Sequence, residues 1–428
     1  MNVGVIGAGY VGLTTSCVLA EFGHRVLCVD KNHHKLNQLK SCEVPFYEPG
    51  LQEMLERNVK KGHLSFTNNT REAIQSSEVV FIAVGTPPLS DGSPNLTFIQ
   101  QVVDEISQAI EKYTIIVTKS TVPLGTNEWM DQALTKKVKP ELFDVVSNPE
   151  FLKEGTAIQD TISPDRMVIG AKNEAPVQLL KTLFSFIKAP YYVTTLTGAE
   201  MIKYASNVFL AMKISYINEI STICEAYGVD VNEVAQGIGA DQRIGPAFLK
   251  SGLGYGGSCL PKDLQGLIFA ATRKNINTKL LPSIAEVNDQ QVDVYMKKLE
   301  EKLGSLNKKR IAVWGLSFKP NTDDIRHSPA IMLIERLKEE GADVVAYDPI
   351  VKRVNDTLFS HRDKYDVLKG ADALVLATDW QSFIDADWRK VKTRLKGNVV
   401  MDCRNALQRE KVTQAGMCYV ANGQQRSN

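Results

Sequence analysis

The 428-residue chain carries almost no net charge, because its 50 lysines and arginines nearly balance its 49 aspartates and glutamates. This balance excludes the broad basic field used to bind nucleic acids or acidic membranes, so neither partner is expected. The longest hydrophobic runs, such as Val79–Val84, have the length of a strand and are too short to span a membrane. Residues 1–4 lack the positive charge of a secretory signal, which favours a cytoplasmic location.

The chain also has few residues for metal or disulfide chemistry. Its seven cysteines are an odd, scattered set without a CxxC pair, and most lie in apolar stretches, which is typical of reduced core thiols. The six histidines form neither an HxxxH nor an HxxE pattern, so no metal site is predicted. At this length the chain can bury large hydrophobic cores without cross-links.

The first third of the chain alternates β-rich runs with helical stretches, which is typical of a parallel α/β sheet with right-handed crossovers. The predicted strands are Val3–Ile6, Arg25–Asp30, Leu64–Thr67, Val79–Val84, Thr114–Lys119 and Asp144–Ser147. Helices are predicted near 11–23, 51–60, 95–112 and 127–135.

The middle of the chain is predicted to be helical, and the α/β pattern returns after it. Residues 198–227 lack Pro and internal Gly, and their apolar positions recur at helical spacing, which indicates one helix of roughly 30 residues, or about 45 Å. Further helices are predicted near 230–238, 261–274, 283–303 and 329–340. The later predicted strands are Arg310–Trp314, Asp343–Tyr347, Ala373–Leu376 and Val399–Asp402.

These patterns predict the α/β class, with two Rossmann-like doubly wound domains joined by a long central helix and a helical middle domain. The expected domains are residues 1–197, 198–303 and 304–428.

A glycine motif opens the chain in the context that a dinucleotide site needs. Strand Val3–Ile6 runs into GAGYVG, residues 7–12, and a predicted helix follows. Gly7 allows a tight turn, Gly9 lets the backbone approach a pyrophosphate, and Gly12 lets helix and strand pack closely. The helix N-terminus adds unpaired N–H groups and partial positive charge. A glycine turn without a ligand is the alternative, which this context disfavours.

Side chains at three further strand ends extend this site. Asp30 lies 18 residues past Gly12, where a carboxylate accepts hydrogen bonds from an adenosine ribose. It would repel a 2′-phosphate, so NAD is favoured over NADP, and Lys35 is a candidate second contact. Thr86 and Thr121 follow two strands whose carboxyl ends would line the cofactor cleft. Each threonine alone is equally well explained as a loop or cap hydroxyl.

The most unusual stretch is GLGYGGSCLPKD, residues 252–263. Its glycines make a loop that can wrap a ligand. Pro261 suits the first turn of a helix, so Cys259 is predicted at a helix N-terminus, where the dipole favours a thiolate. Asp263 lies one turn further on. An inert buried thiol is the alternative, but this setting favours a nucleophile.

Two other polar pairs are candidates. Lys203 and Asn207 are one turn apart on the long apolar helix, where burial would make the lysine useful as an acid or base. A lysine that reaches solvent beside a solvated Asn is equally possible at this point. Glu150 and Glu154 follow a strand end and either orient water or substrate or form a solvated charged turn.

Together these residues resemble the UDP-glucose/GDP-mannose dehydrogenase family over nearly the whole chain. The resemblance rests on GAGYVG (7–12), YEPGL (47–51), GTP (85–87), STV (120–122), NPEFLKEG (148–155), EMIKYASN (200–207), GYGGSCLPKD (254–263) and FKPNTDDIR (318–326). It implies NAD as cofactor, a C-terminal domain that binds a UDP-sugar, and a homodimer or higher homo-oligomer formed through the central helix. It also implies four-electron oxidation of a primary alcohol to a carboxylate.

The resemblance implies roles for individual residues. Cys259 would add to the aldehyde and pass through a thiohemiacetal and a thioester, while Lys203 and Asn207 stabilise the oxyanion. Asp263, Thr121 and Glu150 would position or activate water. The residues expected to contact the cofactor are Gly7, Gly9, Tyr10, Val11, Gly12, Asp30, Lys35, Thr86, Thr121, Glu154, Lys262 and Arg326. The residues expected to contact the UDP-sugar are Glu150, Phe151, Leu152, Lys203, Asn207, Phe248, Tyr255, Gly256, Phe318, Lys319 and, from a neighbouring subunit, Arg243.

The sugar is chosen from one segment. Residues 241–249, DQRIGPAFL, resemble the UDP-glucose branch, so oxidation of UDP-glucose to UDP-glucuronate is expected. UDP-galactose, a UDP-N-acetylhexosamine and GDP-mannose stay open. A two-electron hydroxyacid dehydrogenase, which needs no cysteine, and a non-catalytic NAD-binding protein are the competing classes.

Overall fold

The computed structural model describes residues 1–87, 89 and 93–424 of the chain. It divides into two compact units, of which the first comprises Met1–Ser206 and Gln265–Asn275 and the second comprises Asn207–Leu264 and Ile276–Asn428. Within the part of the chain that the structure describes, every helix is too short or too polar to traverse a bilayer.

A mostly parallel sheet forms the centre of the first unit. Within the described residues its strands are β1 (Asn2–Ile6), β2 (Arg25–Val29), β3 (Leu64–Thr67), β4 (Val79–Ile82), β5 (Thr114–Thr118), β6 (Phe143–Ser147), β7 (Met167–Ala171) and β8 (Tyr191–Thr194). They lie in the order β3-β2-β1-β4-β5-β6-β7-β8. Helices α1 to α8 are Tyr10–Glu21, His33–Lys40, Leu51–Lys60, Thr70–Ser76, Thr97–Ala109, Thr126–Thr135, Ala157–Ile162 and Glu174–Leu183.

The central strands have cores on both faces. In β4, Val79 and Phe81 pack in one hydrophobic core, and Val80 and Ile82 pack in another. This explains a continuous apolar run where a strand with one wet face would alternate. The predicted parallel sheet is confirmed from β1 to β6. Strand β7 was not predicted, and it pairs antiparallel with β6 because the chain re-enters the sheet at the end where β6 stops.

The second unit has its own parallel sheet. Helix α9 (Leu196–Tyr227) begins in the first unit and continues into the second, and confirms the predicted long helix. The strands β9 to β15 are Arg310–Trp314, Asp343–Tyr347, Arg353–Asn355, Leu358–Phe359, Ala373–Leu376, Val399–Asp402 and Cys418–Ala421. The parallel sheet has the order β10-β9-β13-β14-β15, and β11 pairs with β12 as a small antiparallel ladder.

The structure confirms the helices predicted in this part of the chain except one, and it adds three short helices, α15 to α17, that were not predicted. Helices α10 to α17 are Val231–Gly239, Leu260–Thr272, Leu280–Asp289, Gln291–Leu303, Pro329–Glu339, Gln381–Ile384, Trp388–Arg394 and Arg409–Gln414. The single helix predicted over 283–303 is wrong, because the chain divides into α12 and α13 at Gln290. The residue at the break, Gln290, is neither Gly nor Pro, and it keeps helical dihedrals (φ −73°, ψ −13°).

The turn after β9 repeats the turn after β1. Gly315 has φ +102° and donates its N–H to Tyr347 at 2.8 Å, just as Gly7, with φ +104°, donates to Val29 at 2.8 Å.

The carboxylate beside this second turn is fully engaged by the protein. Asp348 is completely buried. Its oxygens accept hydrogen bonds from the backbone N–H groups of Leu316, Ser317, Ile350 and Val351, the Ser317 hydroxyl and the Trp380 indole. The segment that follows Gly315 enters helix α14 only at Pro329. The second sheet therefore repeats the backbone of the glycine turn, but protein groups occupy the carboxylate beside it.

Candidate active site

The glycine motif forms an open cradle in the first unit. A Cβ on Gly12 would lie 1.8 Å from the Gly7 carbonyl oxygen, so only glycine lets α1 pack this close. A Cβ on Gly9 would meet nothing within 4 Å, which leaves that side open. Gly9 caps α1 without a side-chain hydrogen bond, so the first N–H groups of the helix are available to an anion. This cradle fits a dinucleotide pyrophosphate.

Asp30 lies beside the cradle at the end of β2. Its Oδ2 accepts hydrogen bonds from Ala8 N–H at 3.1 Å and Lys35 Nζ at 2.8 Å, and its Oδ1 accepts one from Asn32 N–H at 2.9 Å. The carboxylate side chain remains 13% exposed. The structure thus brings Lys35 to Asp30, as expected of two groups at the ribose.

The two candidate threonines meet where β4 and β5 end. The Thr86 hydroxyl donates to the Thr121 carbonyl at 2.8 Å. The Ser120 hydroxyl donates to the Val84 carbonyl at 2.6 Å and ties the same loops together. Thr86 is buried and Thr121 is half-buried.

Glu48, a buried carboxylate without a predicted role, links the cradle to the segment 148–155. Glu48 is 6% exposed and accepts hydrogen bonds from the Tyr10 hydroxyl, from Gly155 N–H at 2.6 Å and from Ala157 N–H at 2.7 Å. The Tyr10 side chain is therefore directed to Glu48. The YEPGL motif was the available signal, and Glu154, which is half-buried, directly precedes Gly155.

Glu150 and Lys203 form a buried ion pair. Lys203 Nζ lies 3.1 Å from Glu150 Oε1, and the two side chains are 3% and 8% exposed. The other carboxylate oxygen accepts a hydrogen bond from Leu152 N–H at 2.7 Å. Lys203 Nζ also lies 5.2 Å from the centre of the Phe151 ring. For Lys203 and Glu150, the alternatives of a solvent-reaching lysine and a solvated glutamate are therefore wrong.

The second unit contains a carboxylate held from two sides. Asp263 is 1% exposed; its Oδ2 accepts a hydrogen bond from Asn207 Nδ2 at 2.6 Å, and its Oδ1 pairs with Lys262 Nζ at 2.6 Å. Asn207 is also buried, so the alternative of a solvated amide is wrong. The structure brings these three candidates together, although Asn207 lies 56 residues before Asp263.

Cys259 is an exposed thiol directly before α11. Its carbonyl accepts the N–H of Asp263 at 2.9 Å, so the two residues share the first turn of the helix, as predicted. All seven cysteines lie in the described residues and none of them forms a disulfide; the other six are buried or half-buried. Burial raises the pKa of Cys28 to about 12 and also raises that of Cys403, which makes both poor nucleophiles.

The glycine loop before Cys259 packs closely against residues 318–327. A Cβ on Gly257 would lie 2.7 Å from the Phe318 ring, and one on Gly256 would lie 2.1 Å from the His327 carbonyl oxygen. Gly257 N–H also donates to the Arg326 carbonyl at 2.9 Å. The loop therefore needs glycine for contact with protein as well as for any ligand.

The remaining candidates of the second unit lie on two loops. Lys319 Nζ is 5.6 Å from the Phe318 ring centre, the Arg326 guanidinium pairs with Asp324 at 2.7 Å, and Tyr255 is buried. Arg243 is 88% exposed and pairs with Asp241. Among the described residues Arg243 makes no hydrogen bond to another candidate. Phe248, on the same loop, has a left-handed backbone with φ +65°.

Three domain models of one family match the chain along its length. They are described as the UDP-glucose/GDP-mannose dehydrogenase family NAD binding domain, at residues 1–188, its central domain, at 197–290, and its UDP binding domain, at 312–409. The first match confirms NAD as the predicted cofactor.

Relatives and solved structures agree with these matches. The UDP-glucose 6-dehydrogenase YwqF of Bacillus subtilis is 42% identical, over 99% of this chain and 98% of its own. The structure of a UDP-glucose dehydrogenase from Pyrobaculum islandicum superposes with a TM-score of 0.90 and 36% identity, over 98% of this chain and 96% of that one. A UDP-D-ManNAc dehydrogenase from Pyrococcus horikoshii gives 0.88 and 27%, over 99% of both chains.

Proposed function

Because the chain belongs to the UDP-glucose/GDP-mannose dehydrogenase family, we propose that it oxidises UDP-glucose to UDP-glucuronate through a covalent bond to Cys259. The family membership makes it an NAD-dependent nucleotide-sugar dehydrogenase. The choice of UDP-glucose is supported by relatives such as YwqF. The observation that carries the covalent route is the exposed thiol of Cys259 at the start of α11. Asp263 lies in the first turn of that helix and accepts a hydrogen bond from Asn207.

NAD⁺, when bound, accepts one hydride in each of the two oxidation stages. In the first stage Lys203 or Asp263, directly or through water, takes the proton that leaves the C6 hydroxyl. The Cys259 thiolate then adds to the C6 aldehyde and forms a carbon–sulfur bond, and Lys203 and Asn207 stabilise the oxyanion. After the second stage the bond is a thioester. Water oriented by Asp263, Thr121 or Glu150 attacks its carbonyl, and the thiolate leaves as the carboxylate forms.

The other candidates are assigned to binding. Gly7, Gly9, Gly12, Asp30 and Lys35 hold the pyrophosphate and the ribose of NAD. The segments 148–155 and 318–326 contribute to both ligands: the UDP-sugar is held by Glu150, Phe151, Leu152, Phe318 and Lys319. Glu154 and Arg326 contact the cofactor. The cytoplasmic location and the division into domains at 197 and 303 remain predictions from the sequence.

A homo-oligomer formed through α9 is part of the proposal. Phe209, Tyr216 and Ile223 recur every seven residues on this helix, and their side chains are 55%, 50% and 50% exposed. An apolar stripe at this spacing is typical of a face covered by another helix. A second copy of the chain is the partner that the resemblance implies, and it would also bring Arg243 to a neighbouring site.

Assays against a panel of nucleotide sugars test the proposed function. We expect UDP-glucose to give the fastest NADH production, with two NADH formed for each sugar consumed, because the aldehyde stays bound until it is oxidised. Absorbance at the NADH band and mass spectrometry of the product measure both quantities. One NADH per sugar would contradict the four-electron reaction. Faster turnover of UDP-N-acetylmannosamine or GDP-mannose would contradict the choice of sugar and leave the family reaction intact.

Replacing Asp30 with Asn tests the assignment of the ribose site. The change removes the charge from a hydrogen-bond acceptor, so we expect the Kd of NAD to rise about 10-fold, or about 1.4 kcal/mol, and discrimination against NADP to weaken. Fluorescence titration of both cofactors measures the effect. The matched control is Asp104→Asn, which removes an exposed carboxylate paired with Lys137 at 2.7 Å. Equal NAD affinity in the two variants would contradict the assignment.

A further inference from the structure

Lys119 is a buried lysine that the proposed chemistry does not use. It directly follows β5 and precedes Ser120 and Thr121, and only 5% of it is exposed. Burying an ammonium group costs free energy unless the group is hydrogen-bonded or paired. The groups that hydrogen-bond to Lys119 or carry charge near it should therefore explain why this lysine is buried.

Lys119 holds the start of the segment that carries Glu150. Its Nζ donates to the side-chain oxygen of Asn148 at 3.1 Å, and Asn148 is completely buried. Asn148 is fixed on its other sides, because its Nδ2 donates to the Val168 carbonyl at 2.9 Å and its backbone N–H donates to Thr118 at 3.0 Å. Asn148 and Glu150 are separated by Pro149 alone, so this bond restrains the turn that aims the Glu150 carboxylate.

Two charged groups act on Lys119. Burial is the main cause that lowers the pKa of Lys119 to about 8, the Glu150 carboxylate raises that pKa, and the Lys203 ammonium lowers it. The Phe184 ring, 5.8 Å from Nζ, packs against Lys119 without adding charge. Lys119, Lys203 and Glu150 are thus three coupled charges in one buried region.

We infer that Lys119 is a positioning residue of the proposed oxidation, which holds the Asn148–Glu150 turn and adds a second buried positive charge to the Glu150–Lys203 pair. The inference rests on the proposed function. In this inference Lys203 stays protonated in its ion pair with Glu150, so Asp263 or water takes the C6 proton. With both lysines protonated the trio carries a net charge of +1, which favours the negative charge that develops on the C6 oxygen. Lys119 needs no contact with the substrate for this effect.

Two variants separate its charge from its packing. Lys119→Met keeps a long unbranched side chain and removes its charge. We therefore expect kcat to fall at least 10-fold while KM and the Kd of NAD change less than 3-fold. Lys119→Arg keeps the charge and should retain most of kcat. In the unaltered enzyme kcat should fall as the pH rises through about 8, because Lys119 loses its proton there, and in Lys119→Arg this decline should move to higher pH.

The same kinetic measurements include a control variant and define the result that would overturn the inference. Lys137→Met, which breaks an exposed pair with Asp104, should leave kcat and its pH profile unchanged. Equal loss of kcat in the Met and Arg variants, with an unmoved alkaline decline, would overturn the inference in favour of packing. The assay uses whichever nucleotide sugar the unaltered chain turns over, so a wrong choice of sugar leaves this test intact.

A titration that needs no turnover distinguishes this inference from the proposed function. NMR of protein labelled at the lysine Cε atoms, with Lys119→Arg to assign the signal, should give Lys119 a midpoint near 8. Glu150→Gln should lower this midpoint, because the carboxylate raises it. A midpoint unchanged by Glu150→Gln would overturn the proposed coupling even if the enzyme oxidises UDP-glucose.

Discussion

Replacing Cys259 with Ser is expected to abolish the four-electron oxidation. A serine hydroxyl stays protonated near neutral pH, so it attacks the aldehyde poorly, and its alkoxide is a poor leaving group. Serine therefore cannot form working equivalents of the thiohemiacetal and the thioester. We expect formation of UDP-glucuronate to fall about 10³-fold or more. Because Cys259 is exposed, the fold and the Kd of NAD should be unaffected. The rate of product formation by mass spectrometry and the melting temperature measure the two outcomes.

Another cysteine supplies the control for this substitution. Cys42 is half-buried in the first unit, so Cys42→Ser should retain the activity of the unaltered chain. Iodoacetamide should modify Cys259 before the enclosed thiols, since burial raises the pKa of Cys17 and of Cys28. Full four-electron turnover by the Cys259→Ser variant would remove the covalent step from the mechanism.

Replacing Lys203 with Met should damage both stability and catalysis. The change leaves the Glu150 carboxylate, which is 8% exposed, without its ammonium partner at 3.1 Å. Breaking a buried pair in this way costs about 3 kcal/mol of the free energy of unfolding. Loss of a proton acceptor and of oxyanion stabilisation should also lower kcat by about 10²–10⁴-fold. Denaturant unfolding and NADH assays measure the two effects.

The double variant Lys203→Met/Glu150→Gln separates these effects. It removes both charges, so most of the lost stability should return, whereas kcat should stay low. Lys137→Met removes one partner of an exposed pair and should cost less than about 1 kcal/mol. If stability and activity returned together in the double variant, Lys203 would be a structural residue alone.

Local patterns predicted the parts of the fold and site that depend on nearby residues. Two local groups could be interpreted because each lies at the start of a single helix, which determines the relative positions of its residues. They are the pair Cys259 and Asp263, at the start of α11, and the glycines from Gly7 to Gly12, at the start of α1. The long helix was predictable because periodic apolar residues continue over its whole length. Strands β7 and β8 are no shorter than several strands that were predicted, so their length does not explain why they were missed. Strand β7 contains Gly170, a residue type depleted in strands, and β8 has two consecutive exposed residues, so its burial does not alternate.

Pairings across the chain were not predictable from spacing. Glu150 and Lys203 are 53 residues apart, and Glu48 reaches Gly155 from 107 residues away. Each contact forms only when the folded chain brings these distant residues together. The sequence marked Glu48, within YEPGL, as part of a family motif, but its two backbone partners appear only in the folded chain.

In the proposed four-electron oxidation, which consumes two molecules of NAD⁺, the closed turn around Asp348 limits where these molecules can bind. Both carboxylates accept hydrogen bonds from the protein through both oxygens, but Asp30 remains 13% exposed whereas Asp348 is completely buried. Among the described residues the second sheet therefore offers no matching ribose acceptor. Both molecules of NAD⁺ would then use the same pocket in succession. NADH must depart and fresh NAD⁺ must enter while the sugar is half oxidised, and attachment to Cys259 would retain the sugar throughout this exchange.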